Sequence, residues 1–194
     1  RRLMPCVVCG TKMRRSKESP LLVFNFAFAA VRKPRKGSVQ KMYTDANGQK
    51  WFKGNLHTHT TRSDGAKTPQ ETIALYRDAG YDFLALTDHW VYSETVEDEG
   101  FLQLSGCEFD VGTNVQEGIF HVVAIGMQQM PVLDRSRLTV QEIVDAVRAC
   151  GGKPVLAHPA WSLNRAEQVL PIQGFIAAEI YNTVSGTPWN ARPY

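Results

Sequence analysis

The segment Tyr81-Asp-Phe-Leu-Ala-Leu-Thr-Asp-His89 is apolar at nearly every position through Leu86. A strand with one wet face alternates, whereas a nearly continuous apolar run marks a strand covered on both faces. The residues before it read as one of the covering helices. Thr68 and Glu71 form a capping box with Pro69 at the first helical position, Ile73, Ala74, Tyr76 and Ala79 share a face, and Gly80 stops the helix. The first strand is expected over 51–60, and further strands over 101–108, 118–126, 153–159 and 175–182. Helices are expected over 139–149, with Thr139 and Glu142 as a second capping box, and over 164–170. Residues 91–100 show no clear helix, so that crossover is expected to be irregular. Strands alternating with helices predict a parallel sheet, and an incomplete β/α barrel is its natural closure.

With 194 residues, 43% of them hydrophobic, the body is long enough to bury a core, and no apolar run approaches the ~20 residues of a membrane span. The net charge of +3 hides a division. Residues 1–41 carry eleven Lys and Arg against the single acid Glu18, whereas residues 42–194 carry eleven against eighteen acids. The basic head is expected to be a disordered extension or translated upstream sequence, and the domain to span 42–194. Within the head, Cys6-Val-Val-Cys9 is half of a zinc ribbon with no second pair to complete it. The run from Arg14 to Ala30 mimics a signal peptide, but Asn25 interrupts it and Arg32-Lys-Pro-Arg-Lys36 follows it. Four cysteines form no disulfide framework, so a reducing, cytoplasmic location is expected. The acidic body argues against binding to duplex nucleic acid, and nothing points to a membrane partner.

The polar chemistry collects in a pattern. His57 and His59 are two apart, so an extended chain projects both rings from one face, and Ser63-Asp64-Gly65 supplies a turn that swings a carboxylate toward them. Nitrogen and oxygen donors of this kind suit a first-row divalent metal. All five histidines lie in the body: His57, His59, His89, His121 and His158. Four sit at or near the carboxyl end of an expected strand, where β/α barrels carry their sites, and Glu108 ends another. His121 is the exception, early in its strand.

Read together, these motifs resemble a PHP domain, the polymerase and histidinol phosphatase family. They are His57-Thr-His59 with Ser63-Asp64-Gly65, Thr87-Asp88-His89, Gly106-Cys-Glu108, His121 with Gly126, and His158-Pro159. The resemblance runs from about Met42 onward. It implies a distorted (β/α)7 barrel holding two or three divalent ions, of zinc, manganese or iron. One ion is implied near His57, His59 and Glu108, with Glu108 bridging to a second on His121 and His158, and a third by Asp64 and His89. The family's closing Asp-x-His pair does not follow Glu179-Ile-Tyr-Asn182, so the resemblance implies an incomplete carboxyl end and weakened catalysis.

The implied activity is a metal-dependent phosphoesterase acting on a small phosphorylated molecule or nucleotide. The alternative is a non-catalytic or regulatory module of a larger protein. Glu108 and Asp88 are the candidate catalytic residues, Glu108 as a bridge. Asp88 either orients a ligand imidazole or is a strand-end turn residue. Arg62 and Arg165 are candidates for a substrate phosphate or plain surface charges, and Trp90 and Trp161 either wall the pocket or pack in the core.

Overall fold

The computed structural model describes residues 43–44, 48, 50–114, 116–179 and 182. The basic head with Cys6 and Cys9, residues 180 and 181 of the expected sixth strand and the segment 183–194 lie outside them. The described chain opens on an antiparallel pair, β1 (Tyr43–Thr44) and β2 (Lys50–Trp51), turning at Gly48 with φ at 76°. β3 (Gly54–Asn55) then leads through α1 (Pro69–Asp78) to β4 (Phe83–Ala85), which lies parallel to β3. Both halves of the Thr68–Glu71 capping box form, and Ile73 and Tyr76 of α1 pack on Tyr81, Leu84, Leu86 and Phe101. Of the expected first strand, Trp51 pairs in β2 and Gly54 and Asn55 in β3, while residues 56–60 continue without a ladder.

The irregular crossover is a hairpin. β5 (Val96–Asp98) and β6 (Phe101–Leu104) pair antiparallel around Glu99 and Gly100, both at positive φ as a primed turn requires. β6 is parallel to β4 and passes through Ser105 into β7 (Gly106–Val111). Because β6 and β7 are nearly one strand, they join two sheets, and a parallel bridge from His89 to Glu108 stitches the seam.

β8 (Phe120–Ile125) runs antiparallel to β7, which corrects the expectation of a parallel sheet. Residues 112–119 are too few for a crossover helix, since a parallel return needs about a dozen residues or more. α2 (Val140–Ala149), β9 (Lys153–Leu156), α3 (Ala166–Val169) and β10 (Ala177–Ala178) follow, with β9 antiparallel to β8 and parallel to β10.

Period-two alternation sorts the strand residues onto two faces. Cys107, Phe109, Val122 and Ala124 pack with Ile143 and Val147 of α2, while Ala85, Val123, Ile125 and Ala157 form a cluster without helix residues. Leu56, Leu104 and Val155 add to that second cluster from both sheets, so the mixed sheet curls and packs its inner face on itself. No ladder joins β3 to β10 among the described residues, so these show a curled α/β sheet rather than a closed seven-stranded ring. No described helix is long and apolar enough to cross a membrane.

Ile143 is fully buried beneath α2. Ile143→Ala is expected to destabilise the fold by about 2–5 kcal/mol through the cavity it leaves, read as a lower denaturation midpoint with an unchanged slope.

Candidate metal centre

Strand direction gathers the polar residues at one edge. His89 follows β4, Glu108 lies in β7, and His158 follows β9, all on strands running the same way. β8 runs opposite, so His121, near its start, lies at that same edge, and its register partner is Asp110. His121 looked misplaced in sequence only because a common strand direction was expected. His89, Glu108 and His121 share the inward parity of Ala85, Val123 and Ile125. His158 would alternate away from Val155 and Ala157, but its φ of 24° lies in the left-handed region and turns the ring back.

Glu108 is the hub. Its side chain is buried, yet Oε2 lies 3.1 Å from His57 Nε2, 2.9 Å from His59 Nε2 and 3.6 Å from His89 Nε2. On the other side His158 Nε2 is 3.3 Å from Oε1, an atom with no hydrogen-bond partner. Burial would raise the pKa of Glu108, but the His158, His57 and His59 rings outweigh it and hold the carboxyl well below its usual range. Burial would likewise lower His57, but Glu108 and Glu179 overcome it and raise the ring to about 10.

The first loop owes its shape to Asp88 and Gly65. Asp88 is fully buried and accepts from the Thr60 amide at 2.6 Å, the Thr60 hydroxyl at 2.8 Å and Ser63 Oγ at 2.9 Å. It braces the turn bearing Asp64 and bonds no imidazole directly, as the turn-residue alternative has it, although Ser63 Oγ, which donates to it, stands 3.3 Å from His59 Nδ1. Gly65 is required because a Cβ there would sit 2.3 Å from the His59 carbonyl oxygen. The turn brings Asp64 Oδ1 to 3.0 Å from His59 Nδ1. Asp88→Ala leaves two buried Thr60 donors unpaired, at about 1–3 kcal/mol each. A lower melting temperature and reduced metal binding are expected together; a loss of metal with unchanged stability would contradict the bracing role.

The remaining rings are held from behind. Asp110 lies 3.2 Å from His89 Nδ1 and accepts from Trp90 Nε1 at 2.8 Å. That pairing raises the pKa of His89 and lowers that of Asp110. Ser162 Oγ stands 3.2 Å from His121 Nδ1 and 3.3 Å from His158 Nδ1, one hydroxyl serving two rings. His121 is pushed down to about 4, chiefly by burial, so it is neutral at physiological pH despite the pull of Glu108. Sequence reasoning missed Asp110, Ser162 and Glu179. Glu179 Oε1 is 2.8 Å from His57 Nδ1, and its Oε2 accepts from the His158 amide at 2.9 Å.

Arg62 donates to Ser93 Oγ and the Tyr92 carbonyl, and Arg165 to the Gln116 carbonyl, so both candidate phosphate ligands are engaged with the protein. Trp90 packs edge-on against Phe109 with Arg135 over its ring. Trp161 is half-exposed, with ring centroids 5.1 Å from His158 and 5.6 Å from His121, and stands at the side of the centre.

These residues fit divalent ions. The ring nitrogens of His57 and His59 face each other at 2.9 Å over one carboxylate oxygen, and the other oxygen is buried without a hydrogen-bond partner. One ligand atom each from His57, Glu108 and His158 falls within a 4.8 Å cluster, and so does one each from His59, Asp64 and His89. This partition differs from the implied one, which grouped His57 with His59; His121 lies beside His158, outside both groups.

No family model matches the chain, and no curated protein matches it in sequence. Solved structures match in fold. A protein of Bifidobacterium adolescentis, assigned as a candidate metal-dependent phosphoesterase, aligns with a TM-score of 0.53 at 15% identity over 66% of this chain and 77% of its own. An amidohydrolase of Chromobacterium violaceum, with bound sulfate and no metal, aligns with a TM-score of 0.52 at 16% identity, covering 68% and 79%. A two-domain protein of Bacteroides vulgatus, with a region assigned as a PHP-like metal-dependent phosphoesterase, reaches a TM-score of 0.46 at 19% identity over 61% and 40%. What the chain shares with the first two is the fold.

Proposed function

We propose that the chain is a metal-dependent phosphoesterase of PHP type, its curled sheet forming part of a distorted (β/α)7 barrel. The observation that carries this is the buried Glu108 carboxylate with nitrogens of His57, His59, His89 and His158 within 3.6 Å, the first two from one segment and the others from two more, at one sheet edge. His57, Glu108 and His158 would hold one ion and His59, Asp64 and His89 another, with His121 as a further donor. Bound zinc, manganese or iron supplies a hydroxide near neutral pH and offsets charge on the phosphoryl oxygens.

The chain's own residues prepare that chemistry. Glu108 keeps its charge and offers an oxygen to each side, which suits a bridge. Neutral His121 keeps one ring nitrogen unprotonated, with a lone pair to offer an ion. Asp64 is exposed and so accessible to a substrate. Half-exposed Trp161 offers an apolar surface beside His158. The substrate class is a small phosphorylated molecule or nucleotide. Hydrolysis should be tested on a panel of phosphomonoesters, read as phosphate released, and of diesters, read as alcohol released, with amides as controls, before and after metal loading. Metal-dependent phosphoester hydrolysis is expected. Metal-dependent cleavage of amides alone, or no turnover by fully loaded protein, would overturn the reading.

A further inference from the structure

The metal centre has one supporting group that reaches two of its loops. Glu179 follows β10, the last described strand, and its carboxylate faces three nitrogens. Oε1 lies 2.8 Å from His57 Nδ1, while Oε2 accepts from the His158 backbone N–H at 2.9 Å and from Asn182 Nδ2 at 3.1 Å. An ionised carboxylate only accepts hydrogen bonds, so His57 must carry a proton on Nδ1. That leaves Nε2, the nitrogen aimed at Glu108, as the atom free to ligate once its own proton leaves. The second oxygen holds the backbone of His158 at the point where φ is 24°, the turn that brings this ring to Glu108.

We infer that Glu179 is a positioning residue for the metal centre, fixing the tautomer of His57 and the backbone of His158 with one side chain. The inference rests on the metal-centre reading above and adds a residue from a strand to which that reading gave no role. Glutamine cannot replace it. Its amide has one acceptor oxygen, so its NH2 would either meet the His158 N–H donor to donor or face His57 Nδ1 and favour the tautomer with the proton on Nε2.

Cobalt(II) serves as the probe, because its visible absorption reports the geometry of the bound ion as well as its affinity. The 194-residue chain and its Glu179→Gln and Glu179→Ala variants are titrated with Co2+ alone, and the metal-free melting temperature of each is recorded. Both variants are expected to bind Co2+ about 10–100-fold more weakly, the usual consequence of losing an outer-shell partner of a ligating histidine. Their bound spectra should also be altered. Two results overturn the role while leaving the centre standing: unchanged affinity in both variants, or weaker binding with the parent's spectrum and a fall in metal-free stability that accounts for the loss. A parent chain that binds no Co2+ overturns the centre and the role together.

Discussion

Glu108→Gln is expected to strip the centre of metal more completely than replacement of any single histidine. Each imidazole serves one ion, whereas Glu108 presents Oε2 to His57, His59 and His89 and Oε1 to His158, and so stands between both candidate groups. Glutamine keeps the shape but removes the charge and one acceptor oxygen. The loss should exceed the ~10–100-fold typical of an outer-shell partner, leaving dialysed protein nearly free of metal and any metal-dependent hydrolysis undetectable. Metal content per chain, measured across Glu108→Gln and alanine variants of His57, His59, His89 and His158, decides the matter. Equal losses across the set would remove the bridging role.

The second large effect is on pH. Although burial opposes it, Glu108 and Glu179 hold His57 protonated up to about pH 10 in the metal-free chain. A ligand nitrogen must give up its proton, so metal and proton compete for Nε2. The protonated form dominates below the raised pKa, and apparent affinity should therefore rise with pH, about tenfold per unit while this one proton is displaced. His121, already lowered to about 4, adds no proton to the exchange near neutrality. Calorimetric titration with zinc in buffers of different ionisation enthalpy should register at least one proton released per chain at about pH 7.5, from His57, with His89, also raised, adding to it. An affinity flat between pH 6.5 and 9 would mean that His57 is not a ligand or is not charged beforehand.

Much of this centre was legible because its residues stand in short motifs tied to strand ends. His57, His59 and Asp64 are set by one extended segment and one turn, and the turn needs a glycine that the sequence displays. The two helix starts were legible for the same local reason: Thr68 with Glu71 and Thr139 with Glu142 form reciprocal capping boxes. Strand direction was not local, and β8 reversed it. The clue lay in the short stretch 112–119, which has no room for a helix. Asp110 and Glu179 were missed because a carboxylate in a strand normally faces water, and only the folded register shows that an imidazole lies behind each one. Asp88 was placed near the centre correctly, but its partners are the Thr60–Ser63 turn.

The contact between His57 and Glu179 spans 122 positions of sequence. Closing so long a loop costs entropy before any contact repays it, so the centre is expected to assemble late in folding rather than seed it. The same geometry makes the ion a probe of the whole fold. An ion held by residues from both sheets cannot stay bound while either sheet is open. Its binding energy therefore adds to global stability, about 4 kcal/mol when free metal stands at a thousand times its dissociation constant. For a chain of this size that corresponds to roughly 8–16 °C in melting temperature. Chelation would then lower the melting temperature of the two sheets in one cooperative step, with no separate loosening of the site.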